Sequence, residues 1–174
     1  MNTYSKKICL LGDFSVGKTS LVRRFVHDRF DDQYISTIGV KVSRKTVMAP
    51  GSQEIAEMTM MIWDLAGSQE FSAVTASYLR GAAGAILVCD MTRADTLKNL
   101  ARYVDDLRKV VGSIQLVVAA NKLDLSAQHQ ISPPQVAAVA ATFDAPYFLT
   151  SAKVGEEVDV MFRDLGKLLL DRIH

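Results

Sequence analysis

Cysteine and histidine are scarce in this chain, and neither sign of charge is in excess. The two cysteines, Cys9 and Cys89, each stand inside an apolar, strand-like run. Buried thiols are therefore expected, in place of a disulfide framework or a metal site. The three histidines, His27, His129 and His174, are scattered and suggest no metal cluster. Twenty basic residues against nineteen acidic ones leave a formal charge of +1, which gives no broad attraction to nucleic acid or to lipid headgroups. No nucleic-acid partner is expected. Apolar runs such as 82-AAGAILV-88 fall far below the roughly 18 residues of a membrane span. The opening 1-MNTYSKK-7 leads into a strand without a signal-peptide core, so a soluble, cytoplasmic protein is expected. There is no repeat, low-complexity stretch or linker, and 174 residues is the length of one domain. With 49% apolar and 22% charged residues, residues 1–174 should fold as a single domain with a real core.

What is present is an alternation of short apolar runs with segments of helical period, the pattern of an α/β domain. The run 7-KICLLG-12 reads as a buried strand, followed by a helix from about Gly17 to His27. The segments 41-KVSRKTVM-48 and 58-MTMMIWD-64 read as an antiparallel hairpin joined through a turn at 49-APGSQEIA-56. The near-continuous apolar runs 84-GAILVCD-90 and 115-QLVVAAN-121 suit parallel strands covered on both faces. Between them Leu97, Leu100, Val104, Leu107 and Val111 recur at helical spacing, with Asp95 as a candidate cap. Ser132-Pro133 marks another helix start. The last helix should carry Val158, Phe162, Leu165, Leu169 and Ile173 on one side as core contacts.

The stretch 12-GDFSVGKT-19 lies between the first strand and the first helix, the setting a phosphate loop requires. Gly12 and Gly17 permit backbone geometry and close approach that a side chain would block. The N–H groups of Ser15, Val16, Gly17, Lys18, Thr19 and Ser20 can then cradle phosphate oxygens at a helix N-terminus. Lys18 would reach the terminal phosphates, and the Thr19 hydroxyl would ligate Mg²⁺. A strand ending in 64-DLAG-67 places Asp64 to hold the metal through water, and the Gly67 N–H to meet a γ-phosphate oxygen. In 121-NKLD-124 the Asp124 carboxylate can accept both N1–H and N2–H of guanine, donors that adenine does not present together. Lys122 can lay its stem along the base, and Asn121 can tie this loop to the phosphate loop. In 151-SAK-153, formed by Ser151, Ala152 and Lys153, the Ala152 N–H can donate to guanine O6.

With these four motifs in order, the sequence resembles the Ras-like small GTPases, and among them most closely the Rab family. The segments 34-YISTIGV-40, 62-IWDLAG-67, 78-YLRGA-82 and 84-GAILVCDMT-92 carry the Rab likeness. The resemblance implies a P-loop fold with a six-stranded mixed sheet, five strands parallel and one antiparallel, and helices on both faces. It implies GTP/GDP and Mg²⁺ as cofactors, with Thr37 joining the metal shell and meeting the γ-phosphate, and Phe30 covering the guanine edge. Residues near 30–40 and 65–80 would be the two switch segments, through which a GTPase-activating protein, an exchange factor and effectors would bind a monomer. Rab proteins display an apolar triad to effectors, here Val42, Trp63 and Tyr78. Val42 stands where an aromatic is usual, and Trp63 reads equally well as a core tryptophan.

The departures bear on catalysis, for which Lys18, Thr37, Ser68 and Gln69 are the candidates. Where the family has a glutamine that orients the attacking water, this chain has Ser68, and Gln69 falls one place later. Phe14 occupies a phosphate-loop position where the family prefers glycine, serine or alanine, and Ser15 replaces a frequent glycine. The implied activity is a GTP/GDP switch whose hydrolysis is slow without a partner. The rival is a guanine-nucleotide-binding interaction module with little or no turnover. An adenine-specific enzyme is disfavoured by Asp124. Rab proteins usually continue into a prenylated tail, while this sequence stops at 171-DRIH-174. A membrane partner, and the vesicle-trafficking role that depends on one, are expected only if a lipidated tail is missing. The connection 49-APGSQEIA-56 looks longer than is usual in the family and is read as a tolerated surface loop.

Overall fold

The structure, a computed structural model, describes residues 1–31, 37, 39–67 and 71–174. Its strands are β1 (Thr3–Leu11), β2 (Val40–Pro50), β3 (Ile55–Leu65), β4 (Ala82–Asp90), β5 (Gln115–Asn121) and β6 (Tyr147–Leu149). They form one sheet in the order β2-β3-β1-β4-β5-β6. The β2–β3 pair is antiparallel, and the other four pairings are parallel. This is the expected mixed sheet. The helices are α1 (Lys18–His27), α2 (Ala73–Leu79), α3 (Ala94–Lys98), α4 (Leu100–Val111), α5 (Pro133–Thr142) and α6 (Val158–Asp171). Among the described residues no helix is long and apolar enough to cross a membrane.

The period of two along each strand sorts the apolar residues into two cores. In β1, Ile8 and Leu10 pack with Leu21 and Phe25 of α1 and Phe162 and Leu165 of α6. Their neighbours Cys9 and Leu11 turn to the other face, toward Leu100, Tyr103 and Leu107 of α4 and Val136 of α5. β4 divides in the same way, with Ile86 and Val88 on the first face and Ala85, Leu87 and Cys89 on the second. An unbroken apolar run is thus a strand with helices over both faces. Cys9 and Cys89 are buried and free, and burial pushes both thiols up to about 12. They remain protonated and unreactive.

Phe162 is fully buried, and its ring stacks on Phe25 with centroids 4.0 Å apart. Phe162→Ala would leave a cavity at the contact between α1 and α6. A loss of about 3–5 kcal/mol is expected. It would be read as a lower urea midpoint at an unchanged slope, with nucleotide concentration held fixed.

Several boundaries differ from those read in the sequence. β1 begins at Thr3, because residues 3–7 pair with β3 from Glu57 onward. The hairpin ladder runs on through Ala49↔Ala56 and Pro50↔Ile55, so residues 51–54 alone make the turn. Pro50 is compatible with this because it closes an edge strand, where its missing N–H breaks little. The tip is also not a free loop. The Ser52 N–H donates to Asp171 Oδ1 (2.5 Å), and Glu54 accepts from Tyr4 Oη (2.7 Å) and Asn2 Nδ2 (2.8 Å).

The helix read through Leu97–Val111 is broken at Asn99 into α3 and α4. Asp95 lies in the first turn of α3, but the cap position is Arg93 with no side-chain cap bond. Thr96 does the tying there: its Oγ1 accepts from the Asp90 N–H (2.9 Å) and donates to the Arg93 carbonyl (2.7 Å). Ser132 does cap α5, in a capping box with Gln135 and with Pro133 at the first turn. Ile173 lies beyond the end of α6 and is exposed, unlike Val158, Phe162, Leu165 and Leu169.

Candidate functional site

Residues 12–17 join β1 to α1 in a loop whose backbone is largely left-handed, with φ 156° at Gly12, 65° at Ser15 and 102° at Gly17. A Cβ on Gly12 would run into the Val88 carbonyl, and one on Gly17 into Asn121 Nδ2. Both glycines are thus fixed by conformation and by close approach. Lys18 follows, with its Nζ donating to the carbonyls of Gly12 (2.9 Å) and Asp13 (3.0 Å). Burial lowers its pKa to about 8, against the opposing pull of Asp64 and Asp13. A phosphate beside it would favour its charged form.

Three oxygens converge next to Lys18. Thr19 Oγ1 lies 2.7 Å from Thr37 Oγ1 and 2.5 Å from Asp64 Oδ2. Thr37 Oγ1 is 3.4 Å from that same carboxylate oxygen. Burial raises the Asp64 pKa, although hydrogen bonds from Thr19 and Thr37 and the Lys18 charge oppose it. Asp64 Oδ1 is buried without a hydrogen-bond partner among the described residues. Two hydroxyls and a carboxylate with an unused oxygen suit a magnesium ion, which takes hard oxygen ligands and completes its shell with water and phosphate. Gly67 lies directly against the phosphate loop, for a Cβ there would meet Phe14 N and the Asp13 carbonyl carbon.

The opposite end is built on the loops after β5 and β6. Asn121 Nδ2 donates to the Val16 carbonyl (3.1 Å), the predicted tie to the phosphate loop. Its Oδ1 accepts from Thr150 Oγ1 (3.1 Å) and from the Ala152 N–H (3.3 Å). The Ala152 N–H assigned to guanine O6 is thus held on Asn121 here. Ser151 Oγ donates to Asp124 Oδ1 (2.8 Å) and accepts from the Val154 N–H (3.2 Å), so Asp124 is fixed in orientation. Lys122 reaches back to the Ser15 carbonyl (2.9 Å) and pairs with Asp90 (2.8 Å). Burial pushes the Asp90 carboxyl up, but Lys122 and Thr92 outweigh it and hold the group below the usual carboxylate range.

Between the two ends lies a cavity of about 350 Å³. Of the residues predicted for nucleotide or metal, Ser15, Gly17, Lys18, Thr19, Ser20, Phe30, Thr37, Gly67, Asn121, Lys122, Asp124, Ala152 and Lys153 line it. Val16, Asp64 and Ser151 are buried behind the wall. Ser68 and Gln69 lie outside the described residues, as do 32–36, 38 and 70 within the two switch segments. Phe14 is on the wall with 54% of its surface exposed.

Three supports had no motif to announce them. Arg24 donates from Nε to the Ala152 carbonyl (2.8 Å) and from Nη2 to the Lys153 carbonyl (2.6 Å). This bolts the 151–153 loop to α1. Arg93 binds the Phe14 carbonyl through Nη2 (2.7 Å) and Asp90 through Nε (3.1 Å). The buried Asp13 accepts from Asn99 Nδ2 (2.8 Å) and Tyr103 Oη (2.9 Å); burial and this carboxylate push the tyrosine up to about 12. The helix break at Asn99 is what turns that amide toward the phosphate loop. An unpaired-looking arginine on α1, or a tyrosine on α4, was the available signal, but the partners are too distant in sequence to infer.

Val42 and Trp63 are directly paired across β2 and β3. The Trp63 and Tyr78 rings stand 6.3 Å apart, and Lys7 Nζ sits 3.6 Å from the Trp63 centroid. Trp63 is half-buried at the rim of the second core.

A family model described as "Ras family" matches residues 7–171. The chain is 35% identical to Ras-related protein Rab-21 of Bos taurus over 170 residues, covering 97% of this chain and 75% of the relative. It is 33% identical to Ras-related protein Rab-13 of Canis lupus familiaris over 165 residues, 94% of this chain and 79% of that one. Identity to Ras-related protein SEC4 of Candida albicans is 31% over 167 residues, covering 95% and 78%. A glycine-bounded loop between β1 and α1, a three-oxygen cluster and a cavity-lining aspartate on a mixed six-stranded sheet thus coincide with a match across almost the whole sequence, and the chain belongs to the Ras family of small GTPases, on its Rab side.

Proposed function

We propose that residues 1–174 form one G domain that binds GDP and GTP with Mg²⁺, hydrolyses GTP slowly alone and depends on partners for turnover. What supports this most is the arrangement at the two ends of one cavity: Lys18 and the Thr19–Thr37–Asp64 oxygens at one, Asp124 held by Ser151 at the other. Thr19, Thr37 and Asp64 would hold the metal, which when bound neutralises developing charge on the β- and γ-phosphates. Lys18 would neutralise the terminal phosphates, and the N–H groups of residues 15–20 would orient them. Phe30 would close over the base. Ser68 and Gln69 are the side chains available to position the water. An activating protein, an exchange factor and effectors would engage the segments around residues 30–40 and 65–80, with Val42, Trp63 and Tyr78 at the effector face. Vesicle trafficking is the cellular setting that suits a Rab-like switch, provided a lipid anchor is supplied.

A second reading, a GTP-loaded interaction module without turnover, is favoured by one observation. Phe14 stands on the cavity wall with its backbone packed against Gly67, and its bulk would compete with a water-orienting group.

Purified chain loaded with a fluorescent GDP analogue tests the common core of both. GDP and GTP should displace the probe, while ATP at a hundredfold excess should not. Chelating Mg²⁺ with EDTA should speed GDP release by roughly tenfold or more, since Thr19, Thr37 and Asp64 would hold the metal and it would neutralise phosphate charge. Equal displacement by ATP, or release indifferent to EDTA, would count against the proposal.

A further inference from the structure

Arg23 differs from Lys18 and Lys122, two other cations placed around the cavity. It follows Thr19 by four residues and Ser20 by three on α1, the spacings that bring side chains together on one helix face. Helical side chains lean toward the N-terminus, so its guanidinium is carried back along α1 toward that pair. Arg23 lines the cavity with Thr19, Ser20, Phe30, Asp31 and Thr37. Its side chain is only 18% exposed, yet its Nε is buried without a hydrogen-bond partner among the described residues. Its ion pair with Asp31 is long, 3.8 Å from Nη1 to Oδ2, beyond hydrogen-bond reach.

Lys18 and Lys122, by contrast, are engaged. Lys18 holds two loop carbonyls, and Lys122 holds the Ser15 carbonyl and Asp90. A guanidinium offers five N–H donors in a planar fork matched to phosphate oxygens. On the nucleotide reading, Lys18 and the three-oxygen cluster would take the terminal phosphates and the metal, and Phe30 the base; Arg23 lines the same cavity as both groups.

We propose that Arg23 is a nucleotide-binding residue that donates to the phosphate nearest the ribose, and that Asp31 holds it over the cavity until the nucleotide enters. This rests on the nucleotide reading of the cavity given above. No motif role covers position 23, so the contact would add to the phosphate-loop grip. It would also bring a negatively charged competitor, Asp31, into the entry step.

The test is the release rate of a fluorescent GDP analogue from the Mg²⁺-loaded whole chain, chased with excess GDP. Arg23→Leu, Arg23→Lys, Asp31→Asn and the Arg23→Leu/Asp31→Asn double variant are compared with the parent. Arg23→Leu should release nucleotide roughly 10- to 100-fold faster, as fits loss of a charge-assisted hydrogen bond, and Arg23→Lys should recover part of that. Asp31→Asn should release no faster than the parent, because it removes a competitor for the guanidinium. Equal acceleration by Arg23→Leu and Asp31→Asn, with no further effect in the double variant, would make the pair a structural latch and overturn the inference. Unchanged release from Arg23→Leu would overturn it as well. A parent that retains no GDP would overturn the proposed function itself, which separates that failure from the other two.

Discussion

Asp124→Asn should exchange the base preference of the protein. Guanine offers two N–H donors along one edge, and a carboxylate accepts both. An amide accepts one and sets its own NH₂ against the other. Xanthine carries a carbonyl where guanine carries the exocyclic amine, so the same NH₂ finds an acceptor there. Sites built to hydrogen-bond a particular group reject analogues lacking it by large factors. GDP affinity should therefore fall by roughly 10³-fold, and XDP should overtake GDP. Competitive displacement of a fluorescent nucleotide measures both. Ser151→Ala should be milder. It removes the hydroxyl that fixes Asp124 Oδ1, so GDP binding weakens while guanine stays preferred. Parental GDP affinity in Asp124→Asn would mean that the 350 Å³ cavity seats the base elsewhere.

The second large effect concerns the chemical step. Intact enzymes of this type hydrolyse GTP unaided at about 10⁻⁴ s⁻¹, and loss of a group that positions or polarises the reacting atoms costs on the order of 10²-fold. Serine at position 68 is too short to hold water as glutamine does, and Phe14 adds an aromatic side chain at the cavity wall. In single-turnover measurements, GTP loaded on the parent should persist for many hours. Ser68→Gln and Phe14→Gly together should raise cleavage by roughly 10²-fold, with smaller gains from each alone. GDP affinity should change little, because the loop amides, Lys18 and the metal oxygens are untouched. Parental turnover at the ordinary rate, unmoved by either substitution, would show that Gln69 or another group serves the water.

How far the sequence revealed the fold depends on the range of the information. Strands buried on both faces announce themselves by composition alone, as 84-GAILVCD-90 did, because every position must be apolar. The phosphate loop and 121-NKLD-124 were legible because their function requires fixed residue types at fixed spacing. The hairpin was misjudged because Pro50 and Gly51 are turn residues by local chemistry, while the ladder that runs through Pro50 is set by pairing with Ile55. The break at Asn99 was invisible for a similar reason. Its apolar spacing is helical throughout, and the amide that the break exposes is taken up by the buried Asp13, 86 positions away. Arg24 and Arg93 escaped because they bind main-chain carbonyls, which every residue has and no motif records.

Asn121 carries a consequence for how nucleotide leaves. One side chain holds Val16 of the phosphate loop with its amide nitrogen, and Thr150 and Ala152 of the base loop with its oxygen. The two halves of the grip therefore share this fastening, beside the tie from Lys122 to the Ser15 carbonyl. A pull on either half would strain the other through this amide, so loosening one end of the cavity is expected to loosen the other.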